Sequence, residues 1–381
     1  MNKKYKIVSR YIEKLLSNIF FLFFVAQIFS PYIGNRTIYL ELFIAIFNPY
    51  FLFWLSKRKV TQDILWLIIG FGLLIVTLQV VLVIKLIAIA IAVLFLFYAY
   101  ERDVFYLKRY LILSILVAIL QFSFLFIDPT ISTLLGPQNI SKTIWGAYAT
   151  PSFTNFYTVF FIPRVSGLSR EAGFFAAFLI ASIFFFYLEN KRYKQNTKDK
   201  IRNIFLWIGY ILSFSKMSIL IIPLIIVEKI KKLNDYIPVI LTIMIFVSVM
   251  MFLWDANRDL LIDNETFWHR FSAYPSLFDI DLKQFLFGID SVDEVNSSLA
   301  KVFSYRFDTF AGFGGFLLDK GVFITGIFLL ILWITGISSS GILLLLLLTI
   351  NVQPDTNQNF VVMTYFIIYK FYKNKRYILN L

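Results

Sequence analysis

Apolar runs too long for a soluble core recur along the chain, separated by short charged stretches. From Val80 to Tyr100 the only charged residue is Lys85, and from Leu111 to Ile127 there is none. About 20 such residues wound as a helix cross the ~30 Å hydrocarbon core of a bilayer. Lipid offers no partner to a free backbone N–H or C=O, so spanning segments are helices or closed barrels. The two-residue alternation of barrel strands is not visible. The expected fold is all-α, a polytopic integral membrane protein. Composition agrees: 15% of the residues are charged, against about 25% in soluble domains.

Twelve apolar segments are expected to form transmembrane helices: 15–33, 38–55, 64–79, 86–100, 110–127, 172–188, 201–214, 217–227, 236–254, 321–335, 341–350 and 360–369. Residues 1–381 read as a single integral membrane domain. The basic N-terminus is followed by no small-residue cleavage site, so the first segment reads as a retained helix. The chain has no cysteine, which excludes disulfides, thiolate metal sites and cysteine nucleophiles.

The net charge of +13 invites a nucleic-acid partner, but its distribution gives a different cause. With the N-terminus inside, one side receives 24 of the 36 basic residues and 8 of the 23 acidic ones. This is the asymmetry that orients membrane proteins, with a contribution from anionic lipid headgroups. It places both termini in the cytoplasm and calls for no nucleic acid. The count treats residues 201–227 as two short helices hinged at Ser215-Lys216-Met217-Ser218. Each is too short to span lipid alone, so Lys216 is expected below the outer surface, facing a wet pocket. A simple polar loop is the plainer alternative.

Two long outer segments are expected, 128–171 and 255–320. The first holds Trp145, Tyr148, Phe153, Phe156, Tyr157, Phe160 and Phe161, a composition suited to the membrane interface or to a fold over a cavity. It ends on Arg164, Arg170 and Glu171, followed at once by an apolar run. Read as a helix, Arg164, Gly167 and Glu171 fall at i, i+3 and i+7, on one face. Charges clustered at the mouth of a membrane helix are a functional signal, with an interfacial anchor of snorkelling side chains as the plain alternative. In the second segment, Asp255, Asp259 and Asp263 follow at helical spacing. Such carboxylates form a solvated face more often than a cation site. His269 is the only histidine, which more often means a hydrogen-bonded structural residue than a ligand. Gly312-Phe-Gly-Gly315 lacks the lysine of a phosphate loop and reads as a link or helix entry. Walker, Gly-x-Ser-x-Gly and His-Glu-x-x-His motifs are absent from the sequence, which argues against an ATP-driven pump or a common hydrolase.

In combination, the chain resembles the Wzy-type O-antigen and capsule polymerases, and more distantly the O-antigen ligases. The resemblance is carried by Arg164-x-x-Gly167-x-x-x-Glu171 and by Ser213-x-Ser215-Lys216-x-Ser218. Arg270 ahead of Phe287-Gly288 and Asn296 adds to it, as does the layout of about twelve helices with a large outer loop between the ninth and tenth. Ala172 stands where the family commonly has Pro, Lys216 where relatives often have Arg, and Val295 where they often have His.

The resemblance implies a glycosyltransferase on the outer face of the bacterial cytoplasmic membrane. It would transfer an oligosaccharide from undecaprenyl pyrophosphate to a sugar hydroxyl, without metal or other cofactor. A chain-length regulator and a flippase are the implied protein partners. The leaving group is anionic and is stabilised by pre-placed donors, a role for the forked guanidinium. Arg164, Arg270 and Glu171 are the expected catalytic residues. Arg170, Lys216, Gly167, His269 and Asn296 are the expected substrate-binding set. Glu171 reads as a base or as an orienting group, and its neighbouring arginines favour the second role. An O-antigen ligase uses the same donor. A transporter would place charges inside several helices near the midplane, where this chain has few.

Overall fold

The structure is a computed structural model. It describes residues 3–33, 36–57, 70, 72–75, 77–149, 157–159, 162–192, 197–213, 224–226, 228, 239–256, 272–289, 295, 310–350, 352–356 and 359–373. The described helices, in chain order, begin with α1 (Lys3–Val25), α2 (Leu40–Ile46), α3 (Pro49–Ser56), α4 (Val80–Glu101), α5 (Leu107–Ile127), α6 (Pro129–Leu134), α7 (Pro137–Trp145) and α8 (Ala172–Asn190). There follow α9 (Thr197–Leu212), α10 (Val239–Ala256), α11 (Ala273–Ser276), α12 (Leu282–Phe287), α13 (Gly312–Ile334), α14 (Ser339–Leu348) and α15 (Asn359–Phe371). Two 3-10 turns, Gln27–Phe29 and Gly146–Tyr148, are also described, with two antiparallel hairpins, β1 (Tyr32–Ile33) with β2 (Arg36–Thr37), and β3 (Tyr157–Val159) with β4 (Ile162–Arg164). Among the described residues, four helices are long and apolar enough to cross a membrane: α4, α5, α8 and α13. The all-helical membrane expectation stands at that level, and the twelve expected spans are not shown.

The elements fall into two compact units. One comprises 1–59, 90–221 and 358–366, the other 60–89, 222–357 and 367–381. In the first unit the core is aromatic. Phe20 and Phe24 of α1 stack, Phe95 of α4 stacks on Phe20 at 3.9 Å, and Phe105, Phe185 and Phe366 meet in a second group. Helix α8 buries Ala176, Ala177 and Ala181 beside Phe175, Phe184 and Phe185. Small residues let neighbouring backbones approach, which drives packing where lipid removes the hydrophobic incentive. Near the start of the unit, Glu13 is buried and satisfied. It accepts from Arg102 at 2.9 Å, Arg10 at 2.8 Å and Tyr98 at 3.0 Å.

The single helix expected over 38–55 is two helices. Pro49 lacks the N–H that a continuing helix would use and pushes the preceding residue out of helical geometry. Asn48 adopts extended backbone, and its side chain accepts from the N–H groups of Tyr50 and Phe51, capping α3.

In the second unit, Ala311 leads into α13, so the glycine-rich stretch is a helix entry, as one reading of it had it. The helix breaks at Gly321, whose φ is +74°. A Cβ there would lie 2.4 Å from the carbonyl oxygen of Leu286, so α12 docks directly onto the break. Lys85 pairs with the buried Asp355 at 2.9 Å, and Gln353 donates to Asp319 at 2.6 Å and to the Phe310 carbonyl at 3.1 Å. Helix α10 ends at Ala256, so of the three spaced aspartates only Asp255 belongs to it. Asp259 and Asp263 lie outside the described residues. No group of three metal-binding side chains occurs among those described.

Candidate functional site

The segment from Arg164 to Glu171 is not the helix face that its spacing implied. Arg164 closes the short hairpin with β3, residues 165–171 form turns, and α8 begins only at Ala172. The cause is local. Gly167 has φ +55°, a left-handed conformation that cannot continue a right-handed helix. A Cβ at this position would meet the Ser114 carbonyl oxygen at 2.6 Å and its hydroxyl at 2.7 Å. Glycine is needed here both for its backbone conformation and for close approach to α5.

The turn nevertheless gathers the charges. Glu171 is the residue that precedes α8, and its carboxylate lies 3.0 Å from where a Cβ of Gly173 would be. A terminal nitrogen of Arg164 lies 4.0 Å from the same point. The two side chains therefore approach the same point beside Gly173, where a Cβ would crowd the Glu171 carboxylate. Arg164 also donates through Nε to the Ser213 carbonyl at 3.3 Å, just past the end of α9. Carbonyls at a helix C-terminus carry partial negative charge and favour a cation. Ser213 opens the Ser213-x-Ser215-Lys216 motif, so the fold joins the first residue of that motif to Arg164. Arg170 donates to the Thr37 hydroxyl at 3.0 Å and lies 5.7 Å from the centre of the Tyr32 ring. The first hairpin thus forms a wall beside the turn.

Beneath the charges the turn is seated on α5. Gln121 is fully buried. Its side-chain amide donates to the Gly167 carbonyl at 3.0 Å and to the Leu135 carbonyl at 2.7 Å, and its oxygen accepts from the Gly167 N–H at 2.9 Å. Ser114, one heptad earlier on the same face, accepts from the Leu168 N–H at 3.0 Å. Ser132 of α6 donates to the Gln121 carbonyl, so α6 folds back along α5. The stretch after Asp128 therefore packs against α5. Sequence reasoning missed Ser114 and Gln121. The available signal was a glutamine in an uncharged apolar helix, where a polar side chain has to find a partner.

The structure thus brings together Arg164, Gly167, Arg170 and Glu171. Lys216, His269, Arg270 and Asn296 lie outside the described residues. A shallow cleft lined by Gln27, Ser169, Phe174, Phe178, Asn359 and Phe360 leaves no room for a water molecule, so it reads as a packing gap beside the turn. No protein-family model, curated protein or solved structure matches this chain.

Proposed function

We propose that the chain is a membrane glycan polymerase. On this reading it transfers an oligosaccharide from undecaprenyl pyrophosphate to a sugar hydroxyl of an acceptor repeat, on the outer face of a bacterial cytoplasmic membrane. The observation that carries the reading is the approach of Arg164 and Glu171 to the same point beside Gly173, with Arg170 on the same turn. The turn is fixed by a buried glutamine rather than left in solvent.

The chemistry follows from charge. Displacement at the anomeric carbon breaks the bond to the pyrophosphate oxygen, and negative charge grows on that leaving group. A guanidinium already held in a region of low dielectric stabilises the charge without reorganising. It offers two parallel donors that match a phosphate. Arg164 takes this role, and the sequence resemblance assigns the same role to Arg270. Glu171 orients the arginine beside it. The acceptor hydroxyl passes its proton to the departing pyrophosphate oxygen as it attacks, and its new bond to carbon replaces the one to pyrophosphate.

Losing one such donor costs on the order of 10²–10³ in rate. Arg164→Ala and Arg270→Ala are expected to abolish long glycan while the protein still reaches the membrane. Arg→Lys rescues poorly, because a point charge lacks the fork. Glu171→Gln retains partial activity if the carboxylate orients and none if it is an obligatory base. Product length on gels is the readout. Unchanged polymer from both Arg→Ala variants would remove the arginine clamp from the account.

A further inference from the structure

We infer that Gln121 is a positioning residue: its side chain holds the Arg164–Glu171 turn in one place against α5. The inference rests on the polymerase reading only for its consequence on activity. The hold itself stands on geometry.

Three observations converge. Gln121 is fully buried in the middle of a helix without charges from Tyr110 to Ile127. Both ends of its amide are used on the backbone of a single residue, Gly167, and the remaining amide hydrogen goes to Leu135. Gly167 is the residue whose left-handed backbone separates Arg164 from Arg170 and Glu171. A side chain that grips both the N–H and the C=O of one residue fixes the orientation of the two peptide groups that flank it as well as its position. The direction in which Arg164 and Glu171 leave the turn then depends on Gln121.

Position along α5 adds a second consequence. Ser114 and Gln121 stand 7 and 14 residues from Leu107, roughly 10 and 21 Å at 1.5 Å per residue. The helix has 21 residues, or about 31 Å. The Gly167–Leu168 turn, bound to both, is therefore seated near the middle of α5 rather than at its end. The arginines are drawn down beside a membrane-length helix, where lost contacts are not replaced by water. Surface anchoring of snorkelling arginines predicts no such seat. It would leave the turn at the helix end and Gln121 without a role.

The test uses the full-length purified protein with Gln121→Met and Gln121→Glu. Methionine keeps volume and removes every hydrogen bond, so packing is spared. Neutral glutamic acid keeps the shape, the acceptor for the Gly167 N–H and one donor. Hydrogen exchange is followed on peptides covering 165–171 and, as controls, on α5 and the rest of α8. Polymerisation is measured with a lipid-pyrophosphate oligosaccharide as donor. Gln121→Met is expected to speed exchange in 165–171 by roughly tenfold, with the control peptides unchanged. Its kcat falls about 10- to 100-fold while the donor KM moves little, as expected when a bound group is misplaced. Gln121→Glu lies between Gln121→Met and wild type in both. Unchanged exchange in 165–171 overturns the hold, and faster exchange throughout α5 and α8 reduces Gln121 to a general packing role. Loosening confined to the turn with wild-type kcat overturns its effect on the site. If the wild-type protein makes no polymer, the functional reading fails, and the exchange result still decides whether Gln121 holds the turn.

Discussion

At the scale of single residues, Gly167 does most to define the candidate site. Alanine there would strain a left-handed backbone, at about 1–2 kcal/mol, and place its methyl group 2.6 Å from a main-chain oxygen of Ser114. Backbone cannot move aside as a flexible side chain can. Gly167→Ala should therefore lower the melting temperature of the purified protein and its activity together. Gly326→Ala is the control, because a Cβ at that helical glycine meets nothing within 4 Å. It should leave both unchanged or raise stability slightly. A melting temperature for Gly167→Ala equal to wild type would show that the turn differs from the one described. The same residue shows why the sequence misleads. Spacings of three and seven put Arg164, Gly167 and Glu171 on one helical face, and that pattern is silent about φ. Arg164 and Glu171 do approach the same point beside Gly173, but by way of a turn.

Among the elements, the longest apolar runs are legible because length alone marks them, and four of the twelve expected spans reach membrane length among the described residues. The segments expected at 86–100, 110–127 and 172–188 appear as α4, α5 and α8 with modest extensions. The break at Asn48-Pro49 was hidden by the apolar residues on either side, although that dipeptide is itself a stop signal. Gln121 was equally visible and equally silent, since its partners lie 14 and 46 residues away. The joint between α1 and α4 makes a prediction about pH. Burial opposes the charge on Glu13, but hydrogen bonds from Arg102, Arg10 and Tyr98 outweigh it, and the carboxyl sits below its ordinary value of 4.5. A depressed folded-state value contributes stability that is present above the unfolded value and is lost as pH falls through the folded one. The melting temperature should therefore drop as pH is taken from about 5 downward. Glu13→Gln should be less stable at pH 7 and should flatten that drop. An acid-side slope identical in Glu13→Gln and wild type would assign it to other groups.

The chain is mostly helical, with four described helices long and apolar enough to span a membrane. Its orientation and its chemistry are proposals built on charge. Orientation is tested with single cysteines, which the chain lacks naturally. Thr143→Cys in α7 should react with an impermeant thiol reagent in intact cells, and Lys200→Cys in α9 should react only after the membrane is opened. Both positions are exposed, so the reverse pattern would invert the topology. The polymerase reading is tested most directly by reconstitution. Purified wild-type protein is placed in liposomes with undecaprenyl-pyrophosphate oligosaccharide as the sole sugar source, without nucleotide sugars and with a metal chelator, beside Arg164→Ala. The account predicts a ladder of products lengthened by whole repeat units from the wild type, undiminished by chelator, and single units only from Arg164→Ala. Unextended oligosaccharide from folded wild-type protein, or an equal ladder from Arg164→Ala, would contradict it.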